Sequence, residues 1–306
     1  MKRFISYIIL FVVAVVVIDQ MVGYLSDYMV VHARSGSVKQ LYDLCENNHY
    51  DMLVMGSSKA HHNYIPQVFS DSLGMSCYNA GYDGEGIILA YGILSLIDDD
   101  RLPELIVYDA KLQFDLYQID QDGDHTRYYS KLRPFYGRPE IGGIIRDISR
   151  IDYMKLHSGL YRTNGKLPGI ISGFIRGSKE DPNNGFESAA GILNDSNVAE
   201  RDYQLVVDSL KVRYLCKFVK LANEKNVRLI VVFSPEFNTP YAADYQIIRD
   251  ICTASGVTVL DYFDSPEYQD IGLFTDHCHM NEKGARTFSM QLASAINKER
   301  FRIKQF

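Results

Sequence analysis

One serine-bearing turn near the start of the chain and one Asp-His cluster near its end hold the residue types that acyl transfer needs. The first is Asp51–Pro66, DMLVMGSSKAHHNYIP, in which the apolar run Met52–Met55 stops at Gly56 and is followed by Ser57, Ser58 and Lys59. A buried strand that runs into a glycine turn delivers the next side chains to the carboxyl edge of a sheet, where α/β folds place their chemistry. A serine hydroxyl there becomes a nucleophile when a histidine takes its proton and a carboxylate holds the imidazole in the productive tautomer. Both arrive in Phe274–Asn281, FTDHCHMN, with Asp276, His277, Cys278 and His279 in immediate succession.

These two stretches need a scaffold that brings chain ends together. Strand-like runs cover 51–55, 77–78, 105–108, 228–234 and 257–261. Helical periodicity covers 87–97 (Ile87, Ile88, Ala90, Tyr91, Leu94, Ile97), 203–225, 243–255 and 282–297, the last with Ala285, Phe288, Leu292 and Ile296 on one stripe. Strands alternating with amphipathic helices predict a doubly wound α/β fold, three layers α/β/α around a central parallel sheet of about five strands. Residues 26–50 read as a polar, helical lead-in, with Val38, Leu41, Tyr42 and Cys45 at helical spacing. From about 112 to 204 the pattern loosens, with interruptions such as Asp120–Asp124 and Asp181–Gly185 and short helical pieces near 139–157. A structureless segment of that length does not suit a compact domain, so an elaborated insertion over the sheet's active edge is expected.

The pattern of Gly56-Ser57-Ser58 with Asp276-x-x-His279 resembles the SGNH (GDSL-like) hydrolase superfamily. The resemblance implies a flavodoxin-like three-layer fold, Ser58 as nucleophile with Ser57 in place of the family's aspartate, His279 as base and Asp276 as its orienting acid. Tyr78-Asn79-Ala80-Gly81 is similar to the family's second block, which implies that the Gly81 N–H joins the Ser58 N–H in the oxyanion hole. It also implies that the acid and base sit on the loop before the last helix, where Asn281 fits as N-cap. The third block departs: Asp109-Ala110-Lys111 follows its strand with no asparagine. The resemblance spans about 51–110 and 200–297. An α/β-hydrolase elbow is a poorer match, because Ala60 stands where its second glycine is required.

Other residue types carry less. His277 reads as a loop histidine and Cys278 as a small packed residue. His61 and His62 are adjacent and lack a suitably spaced carboxylate, so no metal site and no cofactor are expected. With a net charge of −6 and no basic stripe, no nucleic-acid partner is expected. Five cysteines, an odd number without C-x-x-C spacing, fit buried thiols better than staples. The 22 tyrosines, in a chain without tryptophan, cover an irregular surface.

Lys2-Arg3 precedes Phe4–Ile18, an uncharged run broken only by Ser6 and Tyr7, which Met21–Leu25 can extend past Asp19 and Gln20. No small-residue pair suits cleavage. Residues 1–27 therefore read as an uncleaved signal anchor, and the positive-inside rule sends residues 28–306, the hydrolase-like domain, to the periplasm or outside the cell. The activity expected there is a serine esterase acting on acylated carbohydrate of the envelope. An O-acyltransferase using the same triad, with a membrane acyltransferase as partner, is the alternative. A non-catalytic carbohydrate-binding or assembly protein on a degenerate scaffold is the third reading.

Overall fold

The computed structural model describes residues 1–118, 125–176, 181–194, 197–198, 206–240 and 243–303. The Asp120–Asp124 interruption and the start of the helix expected from 203 lie outside the described residues. Two compact units are present, one of residues 1–48 and 125–180, the other of residues 49–124 and 181–306.

The second unit is built on five strands: β1 (Met52–Gly56), β2 (Cys77–Gly81), β3 (Leu105–Asp109), β4 (Arg228–Phe233) and β5 (Thr258–Asp261). They lie in the order β2-β1-β3-β4-β5, every pair parallel. β1, β2 and β3 are buried along their whole length, which is why they read as continuous apolar runs rather than alternating ones. Helices are numbered along the whole chain. Met52, Val54, Leu105, Val107, Ile230 and Val232 face a core shared with α4 (Pro66–Leu73) and α13 (Glu282–Ile303), through Phe69, Phe288, Leu292 and Ile296. The alternate residues face the other way, as period two requires: Tyr108 packs on Phe218 of α11 (Ser209–Glu224), 5.3 Å between ring centroids. α5 (Ile87–Leu96) lies against α11, with Tyr91 edge-on to Tyr214 at 5.3 Å. α12 (Tyr245–Ala254) packs its Tyr245 on Phe233 at 4.3 Å. The expected α/β layering is therefore present.

β2 runs further than its sequence suggests. Asn79 continues the strand because its buried side-chain amide donates to the carbonyls of Ala60 at 2.7 Å and Tyr64 at 2.9 Å. In register, Gly56 lies level with Gly81 on one side and Asp109 on the other. Three strands thus end at one edge, at the point where the strand order reverses and α/β sheets open a crevice.

The first unit is helical: α1 (Lys2–Val31), α2 (Ser37–Glu46), α7 (Pro139–Ile148), α8 (Arg150–Lys155), α9 (Gly159–Thr163) and α10 (Leu167–Ile175). The stretch read as one polar lead-in over 26–50 is instead the end of α1, a turn, and α2. α1 is 30 residues long and apolar enough to cross a membrane, with an 18-residue window of mean hydropathy 2.5 that is entirely unburied. Its later turns are packed: Gly23, Ser26 and Val30 are buried. Arg162 pairs with Asp27 at 2.9 Å and lies over the Tyr136 ring at 4.5 Å. Leu41, Leu44, Ile141, Ile144 and Ile145 form the apolar interior of α2 and α7.

Candidate active site

The serine turn is set by local geometry. Gly56 has φ +143, and a Cβ there would lie 2.5 Å from the Asp109 carbonyl oxygen. Only glycine permits this backbone and this approach of β1 to β3. Ser57 follows as the N-cap of α3 (Ser58–Asn63), its Oγ accepting from the Lys59 N–H at 3.4 Å, and it is fully buried. Ser58 is the first residue of α3. Its N–H has no acceptor within the helix, as for every first-turn amide, and its side chain sits at the edge of burial, 9% exposed.

The second stretch folds back on itself before α13. Thr275 N–H donates to the His279 carbonyl at 2.9 Å, and Phe274 bridges Met280 antiparallel. Asp276 Oδ1 accepts from the backbone N–H of Cys278 at 2.9 Å and of His279 at 2.8 Å. This closed loop is what lets side chains three residues apart meet: His279 Nδ1 lies 2.6 Å from Asp276 Oδ2. Asn281 caps α13, its Oδ1 accepting from Gly284 N–H at 3.1 Å. Across the crevice, His279 Nε2 lies 2.7 Å from Ser58 Oγ. The structure thus brings together Ser58, His279 and Asp276. His277 is turned away, its Nδ1 3.0 Å from the Phe237 carbonyl oxygen.

Asn63, at the end of α3, ties the two halves. Its Oδ1 accepts from Met280 N–H at 2.8 Å and its amide donates to the Cys278 carbonyl at 3.1 Å. Below the turn, the Lys59 ammonium is fully buried, 2.8 Å from Glu236 Oε1 and 3.0 Å from the Ser234 carbonyl oxygen. Ser234 Oγ donates to Asp109 Oδ2 at 2.6 Å. Burial pushes the Asp109 carboxyl up, against the pull of Lys59. Glu236 is held below the usual range, since the Lys59 and Lys111 ammonium groups outweigh its desolvation. Nothing in the local sequence marks Asn63 or Glu236. Lys59 directly after a buried strand and serine turn was the available signal for a buried cation.

Gly81 closes β2, and its N–H donates to Asn79 Oδ1 at 2.9 Å. A Cβ at Gly81 would lie 2.5 Å from the His61 nitrogen. The glycine is required because α3 crosses β2 at backbone contact.

Two basic side chains flank the triad. Lys111 follows β3; its backbone N–H donates to Asp115 Oδ2 at 2.6 Å, and its Nζ lies 3.2 Å from Cys278 Sγ. His62 is one helical turn beyond Ser58 on α3, so both face one way. Its ring stands edge-on to His279 with centroids 5.3 Å apart. His62 Nδ1 lies 2.7 Å from the Glu187 carbonyl oxygen and Nε2 lies 3.2 Å from Asp83 Oδ1. Both partners are acceptors, a setting that favours a proton on each ring nitrogen. Burial pulls its pKa down, but the bonds to Asp83 and Glu187 outweigh this and raise it. Asp83 also takes His61 Nδ1 at 2.9 Å, which holds its carboxyl far below the usual range. The carboxylate missing from the spacing around His61-His62 thus comes from the turn after β2. His61, His62 and Asp83 place ligand-type atoms within 4.8 Å of one another, as do Asp276, Cys278 and His279. In the second group the Asp276 and His279 atoms already bond each other.

Burial also works against a charged His279. The Asp276 carboxylate and then the adjacent Cys278 sulfur, 3.7 Å from Nδ1, overcome it and raise the imidazole to about 10. Asp276, desolvated in part, is nevertheless driven well below the usual carboxylate range by His279 and two backbone N–H groups.

No family model matches the chain, and no curated protein matches it. Two solved structures are similar. One, from Desulfitobacterium hafniense DCB-2, is named as a lipolytic protein of the G-D-S-L family; it is 10% identical, with a TM-score of 0.38 over 80% of this chain and 98% of that one. The other, from Bacteroides fragilis NCTC 9343, is named as an acylhydrolase; it is 12% identical, with a TM-score of 0.34 over 87% of this chain and 99% of that one.

Proposed function

We propose that this chain is a serine acyl hydrolase of the SGNH kind, with Ser58 as nucleophile, His279 as general base and Asp276 as the group that orients it. The observation that carries the reading is the position of His279, 2.7 Å from Ser58 Oγ through Nε2 and 2.6 Å from Asp276 Oδ2 through Nδ1. Nδ1–H donates to the carboxylate, which leaves the neutral Nε2 to accept the Ser58 proton as Oγ attacks an ester carbonyl. The tetrahedral intermediate collapses as the imidazolium returns that proton to the departing alcohol. Water then repeats the sequence on the acyl-enzyme, releasing the acid and restoring Ser58.

Negative charge grows on the carbonyl oxygen during attack. The Ser58 N–H at the start of α3 is the donor proposed for it, and the Lys111 ammonium and the His62 ring lie on the flanks of the triad. Preorganised charge of this kind stabilises an oxyanion without reorganisation at the moment of reaction. α1 is proposed as a membrane anchor that holds the catalytic unit on the outer side of the cytoplasmic membrane. The substrates would then be O-acyl esters of envelope carbohydrate.

Turnover of p-nitrophenyl acetate by the full chain tests the chemistry. Ser58→Ala and His279→Ala are each expected to lower kcat by about 10³-fold or more. Full rate in both variants overturns the reading.

A further inference from the structure

α8 and α9 each expose large apolar side chains in a unit that also holds the membrane-type helix. Ile151 and Met154 on α8 are 67% and 72% exposed, and Leu160 on α9 is 52% exposed. Ile151 and Met154 are three residues apart, hence on one helix face. Large apolar side chains exposed on two successive helices raise the question of what surface they meet.

What covers it follows from where α9 is fixed. The Asp19 carboxylate on α1 accepts from Ser158 Oγ at 2.6 Å and from the N–H groups of Gly159 and Leu160 at 3.0 Å each. Gln20 Nε2 donates to the His157 carbonyl at 3.0 Å. Backbones touch here: a Cβ on Gly159 would lie 2.2 Å from the Asp19 carbonyl oxygen and 2.5 Å from the Gly23 nitrogen. Leu160 is therefore held at the level of Asp19, the first charge after the apolar run. Phe4–Ile18 at 1.5 Å per residue spans about 22 Å, short of a hydrocarbon core of about 30 Å. A span continued to Gly23 reaches about 30 Å. The bilayer boundary thus falls within the stretch of α1 that α9 covers.

We propose that α8 and α9 lie on the lipid surface beside α1 and insert Ile151, Met154 and Leu160 into the bilayer boundary. Asp19 then enters that boundary already satisfied by four donors, Gln20 Nε2 being the fourth at 3.0 Å, which removes the cost of burying a bare carboxylate there. Arg150 and Lys155, exposed at the ends of α8, reach the headgroup phosphates. The helical unit lies on the membrane instead of being tethered by one helix. This proposal rests on reading α1 as a membrane span.

The chain contains no tryptophan, so single tryptophans report depth without background. Leu10→Trp, Met154→Trp and Leu160→Trp all fall at exposed positions, so the packed interior is untouched. Each full-length variant is placed in phosphatidylcholine–phosphatidylglycerol vesicles carrying bromine either near the headgroups or near the acyl-chain ends. L10W is expected to be quenched by the deep bromines. M154W and L160W are expected to lose about half their emission to the shallow bromines, at an interfacial depth, and to shift to shorter wavelength relative to the detergent-solubilised protein. If L10W is quenched while M154W and L160W keep their emission and wavelength, the surface contact is wrong and the anchor stands. If L10W is not quenched, the anchor reading itself fails and this proposal with it.

Discussion

Asn63 grips the backbone of Met280: its Oδ1 accepts from the Met280 N–H at 2.8 Å while its amide donates to the Cys278 carbonyl at 3.1 Å. One side chain at the end of the serine helix therefore brackets His279 from both sides in sequence. The separation between Ser58 and His279, which lie 221 residues apart in the chain, is fixed by this clamp as well as by the sheet.

Asn63→Ala leaves a buried N–H and a carbonyl without partners. The expected cost is about 2 kcal/mol or more, from a penalty of about 1–3 kcal/mol for each unsatisfied group. Because the loop loosens while the triad residues remain, kcat should fall more than KM changes. Thermal unfolding together with steady-state kinetics checks both; unchanged stability and kcat would remove Asn63 from the positioning role.

The Lys59–Glu236 pair is fully enclosed, so breaking it on one side should be severe. Lys59→Met strands the Glu236 carboxylate and is expected to destabilise by about 3–5 kcal/mol. Adding Glu236→Gln to Lys59→Met should recover part of that loss, since the residual charge is gone. Denaturant unfolding of the single and double variants measures the difference, and equal loss in both would contradict the assignment.

Much of this site was legible in the sequence, and the reasons differ by residue. β1, β3 and β4 are unmistakable apolar runs because both sheet faces are covered, and Gly56 marks the turn that a Cβ would forbid. Asp276 and His279 were readable as a pair because both types are needed for the same chemistry. Ser57, standing where the resembled family has an aspartate, is the N-cap of α3. Asn63, Glu236 and Asp83 were not readable. Each acts through a contact made across the fold, and short sequence spacing carries no trace of such contacts. Gly81 was readable as the glycine of the second block, whereas its close packing against α3 is a contact made across the fold. Lys111 and His62 stand at ordinary polar positions until the sheet edge and α3 bring them beside His279.

The pH profile should carry the signature of His279. Asp276 and Cys278 raise its pKa to about 10 against the desolvation that lowers it, so the neutral base accumulates as pH rises into the alkaline range. The rate is expected to climb about tenfold per pH unit and level off near that value. The same pairing stabilises the fold fully below the ordinary histidine pKa, and this contribution is lost as pH rises through about 10. Cys278→Ala removes one of the groups that raise His279, so the ascending limb should move to lower pH and the rate at neutral pH should increase. A limb that stays in place, or moves to higher pH, contradicts this account of the electrostatics.

Ser57 and Ser58 are adjacent but differently used. Ser57→Ala removes only an N-cap acceptor and should cost about 0.5–2 kcal/mol of stability while leaving turnover near its original level. Thermal melts and p-nitrophenyl acetate kinetics on the same preparation separate the two effects; a dead Ser57→Ala enzyme with normal stability would place the nucleophile one residue earlier.

The most direct measurement is to find where a fluorophosphonate attaches. The full-length protein is treated with the probe at alkaline pH, where His279 is neutral, and the modified peptide is sequenced by mass spectrometry. The account predicts a single adduct on Ser58, absent in Ser58→Ala and strongly slowed in His279→Ala. An adduct on Ser57, or labelling of Ser58 at the same rate without His279, would contradict it.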